Sequence, residues 1–438
     1  MKQFAPKIPL ILLLLITLVF TKLQANKRLG SKSDVCMNIC SDGRGYYAWL
    51  PAIFIYHDVN FGFFENVELK SPLCGGHIGG CLQDYRNTFD GKVCNKYYPG
   101  ASFMMLPFFT IAHLSTLFFT NNPADGYSSL YFLWIGWSGI FYYFLGMLIM
   151  LKILGKAGLN TLQKSLTIIF ISFGTNILYF SVDKPAYSHI YSFVLIAAFI
   201  YYALCLKQSY AAKYIVYLSF LLGFIFITRP VNISIALLLP FMLSGNINSI
   251  KDHFTGKPSA WLLLLPGFIM PLILFTIYKI STGHFIIYSY DKEGFDFLHP
   301  HFWQFLFHYD NGVFSYMPLL LMPFLFLFVW YKREDRGIII GAAITLLVTM
   351  YIHSSWWAWS YGFSFGARTM LDFTPLFGLL IGLSLKQASI KKSYLLISVY
   401  LVCTAFTMLL YNQKNHGYMT QYPITDYWAA LANAIGLK

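Results

Sequence analysis

Long uninterrupted runs of apolar side chains dominate this chain of 438 residues. Eleven runs can be placed, although several fall short of the ~20 residues that cross a bilayer upright. Hydrophobic residues make up 57% of the chain and charged residues 11%, with a mean hydropathy of +0.57. A soluble protein of this length needs more polar side chains at its surface, so the sequence predicts an all-α polytopic membrane protein with about eleven transmembrane helices. The runs are Ile8 to Leu23, Leu130 to Leu151, Leu162 to Phe180, His189 to Leu206, Tyr214 to Thr228, Val231 to Ser244, Trp261 to Ile280, Ser315 to Tyr331, Gly337 to His353, Asp372 to Leu385 and Ser393 to Tyr411.

The basic residues indicate how the chain is oriented. Fifteen Lys and Arg lie in the N-terminal segment and in every second loop, whereas six lie in the alternate short segments and the C-terminal tail. The long segment from residue 24 to 99 is nearly neutral, with eight Lys and Arg against seven Asp and Glu. Because cytoplasmic loops retain Lys and Arg, this pattern predicts an N-terminus inside and a C-terminus outside the cytoplasmic membrane. The six are Lys184, Arg229, Lys292, Arg368, Lys414 and Lys438. The parity requires that the apolar stretch Ala101 to Phe119 does not cross. We expect a re-entrant or interfacial helix there, with an ordinary span as the alternative.

Four regions follow from this topology. Residues 1–23 form a first transmembrane helix, which we expect to stay uncleaved because no small-x-small cleavage site follows its core. Residues 24–129 form a large first outer loop with interfacial helices, 130–411 form the helical bundle with a second outer loop at 281–314, and 412–438 form an outer tail. The net charge of +13 lies mainly in cytoplasmic loops, so it indicates orientation rather than nucleic-acid binding.

Five of the seven cysteines fall in the first outer loop. An oxidising compartment allows one or two disulfides among them. A zinc site is the alternative, but no His and Cys pair has a zinc spacing, and His77, between Cys74 and Cys81, is a weak indication of one. The five are Cys36, Cys40, Cys74, Cys81 and Cys94, while Cys205 and Cys403 lie in predicted spans.

No nucleotide-binding motif accompanies these spans. The chain has neither a Walker motif nor a Gly-rich fingerprint after a strand, which argues against an ATP-driven pump or a nucleotide-sugar enzyme. We expect no cofactor, and the sequence leaves a divalent metal open.

Polar motifs instead concentrate at the predicted outer surface, so any chemistry is expected there. Four segments abut membrane helices on that side: Ser41 to Pro51, Asp183 to His189, Thr228 to Asn232, and Gly366 to Asp372.

Asp42 is the candidate catalytic carboxylate. It precedes a stretch with Tyr46, Tyr47 and Trp49 that has the pattern of a helix lying in the membrane interface. The two tyrosines are candidate substrate contacts. On the residues alone, a helix N-cap is an equally good interpretation of Asp42.

Three cations are candidate phosphate ligands. Arg368 stands on the side of the membrane where the chain otherwise avoids positive charge, and its planar guanidinium can bind two phosphate oxygens. Lys184 and Arg229 lie on the same side. The alternatives are an ion pair with Asp183 for Lys184 and snorkelling from a helix end for Arg229.

Three further residues complete the candidate site. His189 is positioned to orient a phosphate or a sugar hydroxyl, with a structural role as the alternative. Trp357 offers a face on which a sugar can stack, although such residues also form aromatic belts. Asp372 is a candidate substrate contact. The segment from Tyr288 to Tyr316 is rich in polar groups, and no role within it can be assigned from the sequence.

Three short motifs carry a resemblance to a known superfamily. They are Asp42 followed by Tyr46 and Tyr47, the segment Lys96-Tyr-Tyr-Pro-Gly100, and Arg368 followed by Asp372 and Pro375. With the large first outer loop and the many spans, they resemble the GT-C superfamily of integral membrane glycosyltransferases, in the branch of protein O-mannosyltransferases and lipid A aminoarabinose transferases. In that superfamily an early acidic residue is the catalytic base, a Lys-Pro-Pro-like segment opens a second interfacial helix, and a basic residue precedes a late span. Lys96 departs from the usual proline doublet.

The resemblance implies transfer of a sugar from a polyprenyl-phosphate donor to a lipid, glycan or protein acceptor at the outer face of the membrane. With Asp42 as base, a single displacement inverts the anomeric configuration, whereas a two-step route needs a second carboxylate such as Asp58, Asp183 or Asp372. The alternatives are a lipid-linked oligosaccharide flippase and a surface polysaccharide ligase or polymerase. The expected partners are the donor, the acceptor and membrane lipids, and no nucleic acid.

Overall fold

Helices make up nearly all of the regular structure in the computed structural model. The structure describes residues 7–29, 35–71, 84–209, 211–243, 258–330, 335–362, 364–415 and 424–436. The α-helices are α1 (Ile8–Leu29), α2 (Asp42–Phe54), α3 (Gly100–Phe119), α4 (Ser129–Lys156), α5 (Thr161–Gly174), α6 (Ile177–Val182), α7 (Ser188–Gln208), α8 (Ala212–Thr228), α9 (Leu238–Met242), α10 (Ile269–Thr282), α11 (Phe302–Phe307), α12 (Val313–Tyr316), α13 (Met322–Trp330), α14 (Arg336–Ser354), α15 (Thr374–Gln387), α16 (Ile390–Asn415) and α17 (Ile424–Ala434). Two strands, β1 (Arg86–Phe89) and β2 (Lys92–Asn95), pair antiparallel between α2 and α3.

The predicted fold class is confirmed: the chain is an all-α polytopic membrane protein. Within the described ranges, seven helices are long and apolar enough to cross a membrane. Six of them coincide with predicted runs, and the seventh is Gly100–Phe119. The other five predicted runs are shorter or interrupted helices. One example is the break at Thr175 and Asn176 between α5 and α6, and another is the 3-10 segment Pro230–Leu237 that continues α8.

Helix α3 qualifies as a span by length and composition, yet the chain stays at one end of the molecule on both sides of it. Tyr47 and Tyr56 precede α3, and their hydroxyls donate to the carbonyls of Gly126 and Asp125, which follow it (2.5 and 2.8 Å). The start of α3 touches the end of α8, where a Cβ on Gly100 would lie 2.3 Å from Thr228 Oγ1. These contacts support the interpretation that this apolar stretch does not cross.

The predicted first outer loop is a packed unit rather than a helix half-exposed at a surface. In α2, Tyr46, Tyr47 and Trp49 are each at most 4% exposed. Other parts of the chain therefore cover these aromatics, and their place in the membrane interface stays a prediction. Tyr46 packs against Tyr97, Tyr47 against Phe109 of α3 and Tyr127 of the loop after it, and Trp49 against Phe61. A buried ion pair between Arg44 and Glu68 (2.6 Å) ties α2 to the chain that follows it.

Basic side chains gather at one end of the bundle. Lys156 at the end of α4 donates to Gln208 at the end of α7 (2.8 Å), and Lys386 at the end of α15 pairs with Asp335 before α14 (3.2 Å). The opposite ends of these helices carry the polar segments of the candidate site. The helices thus separate the two sets of charges as the loop pattern predicts.

Two of the five cysteines in the predicted first outer loop, Cys36 and Cys40, are disulfide-bonded. They flank the 3-10 turn Met37–Ile39 directly before α2. Cys94 is free and buried in β2, as are Cys205 and Cys403 in the bundle. Cys74, Cys81 and His77 lie outside the described residues, so the alternative of a metal site among them is not tested.

Candidate active site

A cavity of roughly 450 Å³ opens at the end of the bundle that carries the polar motifs. Five stretches distant in sequence line it: the start of α2, Lys96 to Tyr98, the junction of α8 with Pro230, the loop from Tyr288 to Phe295, and the stretch from His353 to Arg368. The size is typical of a pocket for a small ligand or a substrate headgroup.

Asp42 lies in this cavity with both carboxylate oxygens engaged. Arg368 Nη2 is 2.5 Å from Oδ2, and the Tyr97 hydroxyl donates to Oδ1 at 2.8 Å. Burial alone would raise the pKa of this carboxyl, but Arg368 and the hydrogen bond from Tyr97 outweigh it and hold the pKa below its ordinary value. Asp42 is therefore a carboxylate at neutral pH. The N-cap interpretation is wrong, since the cap position is Ser41 and the Asp42 oxygens bind side chains from other segments.

Local sequence explains how Asp42 is held. Ser41 has φ 52° and ψ −130°, an unfavourable backbone conformation for a residue with a side chain, and it turns the chain sharply into α2. Gly45 allows Tyr97 to lie directly against α2, because a Cβ there would be 2.1 Å from Tyr97 Cδ2. The backbone at Tyr97 is fixed in turn by Trp49, whose indole N–H donates to its carbonyl (2.9 Å).

Arg368 begins the 3-10 turn Arg368–Leu371, two residues after Gly366, whose φ of 69° favours glycine. Its guanidinium lies 5.3 Å from the ring of Tyr187 and 5.5 Å from that of Tyr361, at cation–π distance. Burial would lower the pKa of Arg368, but the Asp42 carboxylate outweighs it and raises the pKa. Arg368 is thus a fixed cation at the edge of the cavity.

Arg229 also lines the cavity, and Asp372 stands behind it. Asp372 is fully buried and has three partners, which are Arg229 Nε (3.0 Å), Asn232 Nδ2 (2.7 Å) and His189 Nδ1 (2.8 Å). Neither Asp372 nor His189 lines the cavity. In this arrangement they orient Arg229 rather than contact a substrate.

Lys184 does not line the cavity either. Its ammonium lies among sulfur atoms, 3.4 Å from Cys40 Sγ and 3.8 Å from Met37 Sδ. Burial, and after it the charge of Lys27, lowers the pKa of Lys184 to about 8. Asp183 pairs with Lys27 (2.9 Å), so no ion pair joins it to Lys184 in the structure.

The aromatic candidates divide in the same way. Tyr46 lines the cavity, with its ring 4.8 Å from that of Tyr97, whereas Tyr47 points away and donates to Gly126. Trp357 lines the cavity and is 60% exposed, which leaves its face open to a ligand. Tyr47 therefore has a structural role here.

Sequence reasoning assigned no site role to Lys96, Tyr97 and Glu293, which line the cavity, and considered His353 only as a face for sugar stacking. Lys96 pairs with Glu293 (2.5 Å), and Tyr97 holds Asp42. His353 is 1% exposed, with Nδ1 2.8 Å from the Tyr361 hydroxyl and no hydrogen-bond partner for Nε2. The sequence did contain an indication for Tyr97, because it belongs to the tyrosine pair that follows Lys96 in the segment resembling the Lys-Pro-Pro motif.

The alternative carboxylates are absent from the cavity wall. Asp58 accepts the backbone N–H groups of Asn60 and Gly62, and Asp183 is paired with Lys27. Among the residues described, the cavity is lined by the carboxylates of Asp42 and Glu293. Within the described residues, no cluster of three or more His, Cys, Asp or Glu side chains could hold a metal ion.

Comparison with known proteins adds one structure. The crystal structure of ArnT from Cupriavidus metallidurans bound to undecaprenyl phosphate matches 97% of this chain and 68% of its own, at 14% sequence identity and a TM-score of 0.49. No protein-family model and no curated protein matches the chain. At this identity and score the likeness decides neither family nor function. The function proposed below therefore rests on the chain's own residues.

Proposed function

We propose that this protein is a membrane glycosyltransferase that moves a sugar from a polyprenyl-phosphate donor to the hydroxyl of a lipid, glycan or protein acceptor. The observation that carries the proposal is the contact between Asp42 and Arg368, which are 326 residues apart in sequence and meet at one cavity. A carboxylate beside a fixed guanidinium is what a base and a leaving phosphate need at neighbouring positions.

In the proposed reaction Asp42 takes the proton of the acceptor hydroxyl. The acceptor oxygen forms a bond to the anomeric carbon while the bond from that carbon to the phosphate oxygen breaks, and the phosphate leaves with the electron pair. Attack from the side opposite the phosphate inverts the anomeric configuration. Arg368 and Arg229 stabilise the charge on the departing phosphate, because fixed cations in a largely dry site act more strongly than cations in water.

The donor also prepares the base. In the resting site Arg368 lowers the pKa of Asp42, which makes the carboxylate a weak proton acceptor. A phosphate that binds Arg368 competes for the same guanidinium and weakens its hold on Asp42. The pKa of Asp42 then rises towards its ordinary value when the substrate is in place.

The test is a transfer assay with purified protein, polyprenyl-phosphate sugars and extracted acceptors. We expect Asp42→Asn and Arg368→Ala to lose about 100-fold or more of turnover while keeping their thermal stability, because each acts in the transition state. Asp84→Asn removes an exposed carboxylate outside the cavity and serves as the control. Turnover retained by Asp42→Asn would contradict the base assignment and direct attention to Glu293.

A flippase for lipid-linked sugars is the second candidate. One observation favours it: Arg229 lies where α8 gives way to the 3-10 segment Pro230–Leu237, and interrupted helices with charges are typical of transporters. The same assay separates the two. Vesicles that move the donor across the bilayer without any transfer product would support the flippase.

A further inference from the structure

Each cation of the cavity already has a carboxylate partner. Arg368 pairs with Asp42, Arg229 with Asp372, and Lys96 with Glu293. A phosphate-bearing ligand therefore enters a site whose charges are balanced. It can share Arg368 and Arg229 with their carboxylates, but it gains a cation of its own only where a carboxylate moves away.

Two of the three carboxylates are held too firmly to leave. Asp372 is fully buried and has three partners, two of which, His189 and Asn232, remain if Arg229 turns away. Asp42 is only 14% exposed, is fixed at the first turn of α2, and keeps the hydrogen bond from Tyr97. Both carboxylates sit on helices or turns packed into the bundle.

Glu293 differs from both. Its side chain is 27% exposed, and Lys96 is the one hydrogen-bonding partner of its carboxylate in the described part of the chain. It lies on a loop held mainly through backbone atoms: the Trp357 N–H donates to the Gly294 carbonyl (3.0 Å), and the Ser289 hydroxyl donates to the Lys96 carbonyl (2.9 Å). The Glu293 side chain can therefore swing away without unfolding the loop.

Lys96 is placed to receive an anion in its stead. Its ammonium lies 5.7 Å from the Tyr97 ring and 5.4 Å from the Tyr290 ring, so both aromatic faces hold the cation in position. It is 12% exposed and close enough to Asp42 to contribute to the low pKa of that carboxyl. A phosphate bound at Lys96 therefore lies next to the proposed base.

We propose that Glu293 competes with the donor for Lys96. Its carboxylate occupies the position at Lys96 that the lipid-linked phosphate would take, and the donor must displace it to bind. The inference rests on the proposed function and deepens it, because it assigns to Glu293 the control of donor affinity. A neutral lipid cannot displace the carboxylate, so the contact also selects for a lipid that carries an anionic headgroup.

The test is equilibrium binding by the purified full-length protein in nanodiscs. The probes are a polyprenyl monophosphate and the polyprenol of the same length, which lacks the phosphate. We expect Glu293→Gln to bind the phosphate lipid about three- to tenfold more tightly than the wild type, and the alcohol equally well. Lys96→Met in the Glu293→Gln background removes the gain, because the gain belongs to the released ammonium. Glu293→Asp, one methylene shorter, gives a smaller gain of the same sign.

Glu65→Gln is the matched control. Glu65 is 59% exposed and pairs with Arg86 outside the cavity, so its neutralisation leaves both affinities unchanged. Equal or weaker binding of the phosphate lipid by Glu293→Gln and Glu293→Asp, with the wild type still preferring phosphate over alcohol, would overturn the inference and leave the proposed function standing. A wild type that does not prefer the phosphate lipid would overturn both.

Discussion

Tyr97 gives the Asp42 carboxylate a second partner, which the carboxylate of an ordinary surface ion pair lacks. Its hydroxyl occupies one carboxylate oxygen while Arg368 occupies the other. This double contact fixes the direction of the carboxylate, and with it the direction from which an acceptor hydroxyl must approach.

A Tyr97→Phe variant tests that contact through its effect on pH dependence. The hydrogen bond from Tyr97 favours the charged form of Asp42 and lowers its pKa, so its loss raises the pKa of that carboxyl. Because the base acts when deprotonated, the acid limb of kcat/KM moves to higher pH in the variant. The measurement is the pH profile of transfer by both proteins. An acid limb that stays in place would show that another group titrates.

Lys184 offers the opposite kind of prediction, on stability rather than turnover. Its pKa of about 8 lies below that of an unfolded lysine near 10.4, so charged Lys184 destabilises the fold below pH 8. Between about pH 8 and about pH 10 the unfolded chain keeps the Lys184 proton that the folded chain has lost, so the stability of the fold increases as the pH rises through this range. Lys184→Met removes this dependence and stabilises the protein near pH 7 by about 1–3 kcal/mol.

Thermal melts of the wild type and Lys184→Met at pH 7 and pH 9 check the prediction. Binding of a polyprenyl phosphate to the same variant is the companion measurement. A marked loss of binding would restore Lys184 as a phosphate ligand.

At the scale of elements, helix α2, strand β2 and helix α3 hold one another in place. Helix α2 presents Asp42, β2 leads into Tyr97, and α3 lies across both. Asn95 Nδ2 donates to the Gly45 carbonyl (2.8 Å), and the Ser102 hydroxyl donates to the Tyr46 carbonyl. The position of Asp42 therefore depends on how closely α2 approaches the chain around Tyr97.

Gly45→Ala tests that approach. The added Cβ meets Tyr97 Cδ2 at 2.1 Å and Tyr85 Cβ at 2.8 Å, so α2 or the Tyr97 segment must shift. We expect a loss of about 1–3 kcal/mol in stability and of about 100-fold in turnover, since a shift of about 1 Å misplaces the base. Gly155→Ala in α4 is the control, because its Cβ comes no closer than 3.5 Å to another residue. Equal activity of the two variants would mean that the close contact does not position Asp42.

The elements that sequence could predict are those defined by apolar composition. Within the described residues, all eleven apolar runs are mainly helical, because a run without polar side chains has to satisfy its backbone internally. The hairpin β1–β2 was not predicted, although Asp90 and Gly91 at its turn have the positive φ angles for which Asp-Gly is typical. The burial of α2 also escaped prediction, since an aromatic helix at an interface and one under a packed cover have the same sequence pattern.

At the scale of the whole molecule, sequence reasoning assigned site residues in three of the five stretches that line the cavity. Arg229 and Arg368 were accessible because they are single basic residues in short segments of the predicted outer side, and Asp42 because it matches a motif of the superfamily. Glu293 was not, since its loop contains several polar residues and only the contact with Lys96 distinguishes it. His189 and Asp372 were found as polar residues at helix ends, but their place behind Arg229 depends on how α7 and the Arg368 turn pack, which local sequence does not encode.

The predicted orientation can be tested on intact cells with a membrane-impermeant maleimide. His299 is 82% exposed at the cavity end, whereas Lys213 is exposed at the start of α8, at the opposite end. Because cytoplasmic loops retain Lys and Arg, we expect His299→Cys to be labelled directly and Lys213→Cys only after permeabilisation, each compared with the unmodified protein to subtract its own cysteines. Asp90→Cys is expected to react like His299→Cys, because Asp90, which precedes α3, lies 3.3 Å from His284, which follows α10.

Labelling of Lys213→Cys alone in intact cells would reverse the topology and place Asp42 and Arg368 on the cytoplasmic side. A site there would face the nucleotide-sugar pool, and the choice of a prenyl-linked donor would lose its physical basis.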